Sequence, residues 1–360
     1  MEFMAGMNVA VTGVGGGVGQ SVIRALRLSA VPVRILGMDA DPWAVGLYQC
    51  DSREVVPAVR DADDYAVAMR RAVERHRIEA LIPGTDTELH AIAALQPELS
   101  QLGCTTIVSS PEFIRIARDK LLSYEALSAA GIPFVHTVRA RDFLASYQSA
   151  AFPVIVKPKD GSASVGAKVL HNPRDVERTD MGDDDIVQSY LVPTSWSIEN
   201  VQAADVLKAG RLRQEDEVSI QAVIAPDGTI VSIYASVNEL RDGVPTKACP
   251  TLDPGVLAFG RSVFEAFVKM GHKGPCNIQG RVTGAGIVLY EINPRFTGIT
   301  VVRAAMGWNE VEAALRLFVR GESAESVAAR LSYGDDTVCL RYITEHFVPR
   351  KAIEGTSGSN

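Results

Sequence analysis

Several things this 360-residue chain lacks narrow its class before any motif is read. Its 5 cysteines, Cys50, Cys104, Cys249, Cys276 and Cys339, are scattered and odd in number, and no two are spaced C-x-x-C. That gives no disulfide framework and no zinc pattern, and it fits the reduced thiols of a cytoplasmic protein. No apolar run is long enough to span a bilayer, so no membrane contact is expected. The opening M-E-F-M-A-G-M-N has no basic stretch followed by an apolar one, which argues against a secretory signal. An excess of basic residues is missing too: the formal charge of -7 argues against a general nucleic-acid binder. There is no internal repeat. What remains is 47% hydrophobic and 22% charged, the balance of an ordinary globular protein with room for two or three domains.

The order of patterns predicts an α/β fold. N-V-A-V-T-G-V (8–14) is a short apolar strand, followed by Gly15-Gly16-Gly17-Val18-Gly19 and a helix pattern over 20–28. A second strand ends at Asp39, a helix covers 63–75, and A-L-I-P-G leads into Thr85-Asp86-Thr87-Glu88. Strands alternating with helices at this length predict a doubly wound parallel sheet over 1–118. From 119 to 187 the pattern is a helix, the strand F-P-V-I-V-K-P, a glycine- and serine-rich turn and another strand, the size of a small lobe. The segment D-I-V-Q-S-Y-L (185–191) crosses to a larger lobe, 188–350. In that lobe Pro226-Asp227-Gly228 marks a hairpin between strands 217–225 and 229–237. A helix is expected over 256–270, with others at 309–319 and 323–331. Residues 351–360, ending G-T-S-G-S-N, read as a disordered tail.

The residues with the most chemistry are in Y-E-I-N-P-R (290–295) and in C-N-I-Q-G-R-V before it. Strand alternation predicts that Glu291 and Asn293 share a face while Tyr290 and Ile292 pack behind them, and Pro294 stops the ladder. A carboxylate, amide oxygens from Asn293 and Gln279, and Arg295 on one sheet face suit a hard cation and a phosphate. The competing reading is a strand end with solvated polar residues. Lys157 ends an apolar strand just before the loop 161–166, whose small residues let backbone N–H groups approach phosphate oxygens. Taken alone, that loop reads equally as a solvated hairpin turn. Residues 188–191 offer backbone groups to an adenine edge, or are simply a core strand.

In this order the pieces resemble the ATP-grasp superfamily of carboxylate–amine ligases, in the branch that includes carbamoyl phosphate synthase large-subunit halves. The resemblance rests on R-D-K with the helix to A-G-I-P, V-I-V-K-P, and G-P-C-N-I-Q…Y-E-I-N-P-R-F, and covers the chain to about Val348. It implies an ATP-grasp domain of two α+β lobes behind a Rossmann-like first domain. It also implies an ATP-dependent ligase that joins a small-molecule carboxylate to an amine through an acyl phosphate, releasing ADP and phosphate. By the same resemblance Lys120 and Lys157 would bind ATP phosphates, under a loop that includes Ser162, Ser164 and Gly166. Gln188, Ser189, Tyr190 and Leu191 would hold adenine, and Glu217 the ribose hydroxyls. Glu291 would bridge two magnesium ions, replaceable by manganese, with Gln279 and Asn293 completing the shell. Arg295 would face the transferred phosphate and act with Lys157 in catalysis, and Lys247 matches a common basic position. Relatives are commonly dimers, so a homodimer is expected.

The chain departs from the pattern in three places. Ser189 stands where an acidic hinge residue is usual, and R-F-T-G-I replaces R-F-S-G-G. An excursion over 192–215, carrying Trp196, Lys208, Arg211 and Arg213, replaces a short turn; it reads as a substrate cover or a passive loop. Thr12 to Gly19 with Asp39 also has the layout of a dinucleotide site, which keeps an NAD(P)-dependent oxidoreductase as the rival. A non-catalytic nucleotide-binding scaffold is a third reading.

Overall fold

The computed structural model describes residues 6–161, 166–192, 207–208, 211–212, 214–241 and 243–354. Five strands form the first sheet: β1 (Met7–Val11), β2 (Val33–Asp39), β3 (Ser52–Val55), β4 (Ala80–Ile82) and β5 (Thr105–Thr106). Their order is β3-β2-β1-β4-β5 and every pairing is parallel. The inner strands β1 and β4 and the middle of β2 are apolar on both faces because both are covered. Val9, Val11 and Ile82 enter one core, whereas Ala10, Leu36 and Leu81 enter the other. The expected parallel sheet is present, with a helix Leu89–Gln101 and strands β3 and β5 that the sequence patterns did not single out.

The second sheet is antiparallel, in the order β6-β9-β7-β8: β6 (Thr137–Arg139), β7 (Val154–Pro158), β8 (Lys168–Leu170) and β9 (Asp185–Ser189). The helix Lys120–Ala129 precedes it, capped by Asp119, whose carboxylate accepts from the N–H groups of Leu121 and Leu122. Between the second and third sheets, β10 (Leu207–Lys208) pairs with β11 (Arg211–Leu212). Trp196 and Arg213 of the excursion lie outside the described residues.

The third sheet is antiparallel and has six strands. They are β12 (Gln214–Ile224), β13 (Ile230–Arg241), β14 (Val244–Pro250), β15 (Gly274–Thr283), β16 (Gly286–Asn293) and β17 (Cys339–Leu340), in the order β16-β15-β12-β13-β14-β17. One face carries Val218, Ile220, Ile278 and Ile292 against Phe264 and Phe267 of the helix Pro254–Lys269. The other face carries Glu217, Ser219, Gln279 and Glu291 at one end, the candidate site, while Val223 and Tyr234 at the other end pack against Trp308. Residues 351–354, expected in a disordered tail, belong to the helix Arg350–Glu354, and Arg53 donates to the Ala352 carbonyl at 3.1 Å. Among the described residues no helix is long and apolar enough to cross a membrane.

Candidate active site

The register of the third sheet assembles the polar face. Directly opposed residues of antiparallel strands share a face. Glu217 pairs with Asn238 and Arg281, Ser219 with Gln279, and Gln279 with Glu291, while Asn277 pairs with Asn293. Gln279, Glu291 and Asn293 therefore come together. The β15–β16 register slips after Gln279, which leaves Tyr290 as the extra residue of a bulge. This corrects the simple alternation. The Tyr290 ring still touches the core beside Ile292, but its hydroxyl turns to the site and donates to Glu217 Oε2 at 2.6 Å.

Glu217 is buried, and its other oxygen accepts from Asn238 Nδ2 at 3.2 Å and Gln279 Nε2 at 3.4 Å. Burial pushes its carboxyl up to about 7, against the opposing bonds from Tyr290 and Asn238. It was expected at a ribose, but its contacts set it among Gln279 and Glu291. Asn238 was missed by sequence reasoning. It is buried, and its Oδ1 has no partner among the described residues.

Two lysines approach from the small lobe. Lys120, buried at the start of its helix, places Nζ 3.8 Å from Glu291 Oε1 and 3.0 Å from the Gly161 carbonyl. Lys157 ends β7 with Nζ 5.8 Å from the Tyr290 ring centre. Burial, then the charge of Lys120, pushes its ammonium down to about 7. Gly166 has φ +76°, and a Cβ there would approach the Pro158 ring at 3.2 Å. Ser162 and Ser164 lie outside the described residues.

Arg295 is buried, and its contacts were not foreseen. Nε and Nη2 form a fork on Asp86 at 2.7 and 2.6 Å, while Nη2 also reaches Asn293 Oδ1 at 3.0 Å and Nη1 the Phe296 carbonyl at 2.8 Å. Burial lowers the Arg295 pKa, but Asp86 together with Glu291 and Cys276 outweighs it and the net shift is upward. Burial likewise raises that of Asp86, and Arg295 and Arg118 bring it below the usual carboxylate range. Arg118 Nη1 lies 3.0 Å from Asp86 and its Nη2 pairs with Asp160.

The hinge residues are largely engaged by the fold. Gln188 is buried and donates to Thr137 Oγ1 at 3.0 Å, so its side chain faces the small-lobe core. Ser189 is exposed. The Tyr190 N–H goes to the Pro153 carbonyl at 3.1 Å, and the Leu191 carbonyl accepts from Arg281 Nη1 at 2.8 Å. Those two backbone groups, expected at adenine, are taken in this conformation. Lys247 opposes Glu239 on β13, one step off the Asn238–Ala248 pair, so it lies on the face opposite Asn238; it pairs with Glu239 at 2.8 Å near the surface.

A cavity of about 190 Å³ lies between the polar face and the amino-terminal glycine turn. Gln279, Glu291, Asn293 and Arg295 line one side, and Gly17 and Val18 the other. The turn itself is closed by its own residues. Asp39 Oδ2 accepts from the Gly15 N–H at 2.7 Å, and Oδ1 from the Asp41 N–H at 3.0 Å. Gly13 has φ +55°, and a Cβ there would sit 2.2 Å from Thr85 Cγ2. The acid that a dinucleotide ribose would need is thus holding the turn.

Glu217, Glu291, Gln279, Asn293 and Asn238 form an all-oxygen donor set with a buried carboxamide oxygen left over, which fits magnesium better than a softer metal. Among the described residues no group of three or more His, Cys, Asp or Glu could hold an ion, so such a site would depend on carboxamides.

Residues 117–299 match the ATP-grasp domain family, and residues 10–107 match the PylC-like N-terminal domain. The chain is 23% identical over 244 residues to the carbamoyl phosphate synthase large chain of Gemmatimonas aurantiaca, a match covering 63% of this chain and 21% of that protein. The chain thus spans only about a fifth of that curated relative. N5-carboxyaminoimidazole synthetase from Staphylococcus aureus, solved with ADP, superposes with a TM-score of 0.65 at 15% identity, covering 88% of this chain and 78% of that one. L-amino acid ligase from Bacillus licheniformis gives a TM-score of 0.64 at 14% identity, with coverage of 90% and 77%.

Proposed function

The chain belongs to the ATP-grasp family, and from that premise we propose that it is an ATP-dependent carboxylate–amine ligase forming an amide or peptide bond. The observation that carries the reading is the convergence of Lys120 and Lys157 on Glu291, on the sheet face that holds Gln279, Asn293 and Glu217. Around this cluster Arg118, Lys120, Lys157, Arg281 and Arg295 face Asp86, Asp160, Glu217 and Glu291. A nucleoside triphosphate with its divalent counter-ions adds little net charge and so enters without leaving a buried excess.

In this reading the substrate carboxylate takes the terminal phosphoryl group of ATP, becoming an acyl phosphate with ADP as leaving group. The amine then attacks the acyl carbon and phosphate departs. The chain's own contribution is positioning and charge neutralisation. Lys120 and Lys157 hold phosphate oxygens. Glu291, Gln279 and Asn293 hold magnesium, two ions or manganese in their place, and Glu217 belongs with them rather than at the ribose. The bound metal would draw charge from the phosphoryl oxygens. The cavity against Gly17 and Val18 receives the carboxylate. The hinge 188–191 remains our assignment for adenine, through backbone groups other than the two already bonded. We keep the unit boundaries at 118, 187 and 350, a cytoplasmic location and a homodimer within the same proposal. The self-bonded Asp39 is the argument against the dinucleotide alternative.

Calorimetry with Mg-ATP, Mg-ADP and NAD(P) tests the nucleotide, and phosphate release across a matrix of carboxylates and amines, with mass detection, tests the reaction. Glu291→Ala is expected to fold and to lose on the order of a hundredfold in turnover. Tight NAD(P) binding without ATP or ADP binding would sink the proposal.

A further inference from the structure

We propose that Asp86, from the first sheet's side of the molecule, is a positioning residue for terminal-phosphate recognition, acting through Arg295; this rests on the ATP reading above. Asp86 lies just beyond β4, 209 residues before Arg295 in sequence, yet its two oxygens take the two parallel N–H groups of that guanidinium. The side chains of Asp86 and Arg295 are 7% and 8% exposed. A planar fork on a planar carboxylate fixes the rotation of the guanidinium as well as its place. The same guanidinium also donates to Asn293 Oδ1 at 3.0 Å. Arg118, equally buried, shares Asp86 and carries the link to Asp160, beside Gly161 on which Lys120 donates. Asp86 is thus the common carboxylate between an arginine at the Asn293 end of the site and an arginine at the base of the small-lobe loop.

The chemistry separates this role from simple packing. Adenosine diphosphate has no terminal phosphate for Arg295 to meet. A triphosphate analogue has one, and its extra affinity depends on where the guanidinium points. Asp86→Asn keeps the size but offers an N–H₂ to a group that can only donate, so the fork opens. Arg295→Lys keeps the charge and removes the fork.

The experiment is a double-mutant cycle of wild type, D86N, R295K and D86N/R295K, read by calorimetry with Mg-ADP and with the non-hydrolysable analogue adenylyl imidodiphosphate plus magnesium. We expect Mg-ADP affinity to stay within about threefold throughout, and analogue affinity to fall about tenfold in each single variant and no further in the double. A residue that only stabilises the fold moves the melting temperature but not the ratio of the two affinities. Wild-type analogue affinity in D86N, or losses that multiply in the double variant, overturns the role of Asp86 alone. Failure of the wild type to bind either nucleotide overturns the ATP reading and this role with it. If D86N does not fold, D86E, which keeps the charge and lengthens the arm, gives the same comparison.

Discussion

Lys157 and Glu217 are both held near neutrality by burial, one pushed down and the other up to about 7. A site so arranged takes its charges when ligands compensate them. The sign for Lys157 follows directly. Its ammonium is present below pH 7 and lost above it, and phosphate favours the ammonium. Binding of metal-free ADP, which leaves the acidic side unengaged, should therefore take up a proton at pH 8. Its affinity should fall by up to about tenfold per pH unit above 7. Calorimetry in two buffers of different ionisation heat reads the uptake. Lys157→Arg, which stays charged, should abolish it, and unchanged uptake in that variant assigns the proton elsewhere. At this scale the sequence pointed to Lys157, Gln279, Glu291 and Asn293 through short contiguous patterns, and to Lys120 through the family resemblance. Asp86, Asn238 and Tyr290 were not visible as site residues. Asp86 arrives through a pairing with a distant segment, Asn238 through the neighbouring hairpin strand one residue past the expected 229–237, and Tyr290 through a bulge that breaks the alternation.

At the scale of elements, the amino-terminal glycine turn is built for close packing. A Cβ on Gly84 would lie 2.0 Å from the Thr12 carbonyl oxygen, and one on Gly19 2.5 Å from that of Gly13. Neither backbone atom can move without shifting β1 or the helix Gly17–Arg27 that faces the cavity. Gly84→Ala should cost about 1–3 kcal/mol in urea unfolding, the range for forced overpacking. Gly284→Ala, with nothing within 4 Å and no left-handed φ, should be near neutral. Equal stability of the two variants would show that the turn yields more easily than its contacts suggest. The glycine pattern was legible in the sequence as a strand–turn–helix. Its use was not, because a nucleotide site and a packing turn need the same residues, and only the bonds of Asp39 separate them.

At the scale of the whole molecule, the first sheet does not close its own core. Phe296, Val311, Ala314 and Leu315 complete the cluster around Val9, Val11 and Val22. Polar ties reinforce the contact: the Val301 N–H donates to Ser21 Oγ at 2.8 Å, and the Ala30 N–H to Glu312 Oε2 at 2.7 Å. A fragment of residues 1–118 would expose that face, so we expect it to bind hydrophobic dye and to lack a cooperative unfolding transition. A sharp thermal transition in the fragment would show that this part is self-sufficient. The boundary near 118 follows a change in local pattern, and local pattern does not reveal which distant segment covers a face.

The sequence alone determined the alternation of strands and helices, the lysine at the end of β7, and the Glu291–Asn293 pair with Gln279 beside it. These depend on periods of two or 3.6 residues and on Gly, Pro and Asp signals that act within a few positions. Tertiary structure decided which of these side chains face one another and which are already engaged. It forked Arg295 onto Asp86, drew Glu217 together with Asn238 and Gln279, turned the Tyr290 hydroxyl inward and left Lys247 on the far face. Burial and long-range pairing set those outcomes, because a charge removed from water takes whatever partner the fold brings within reach.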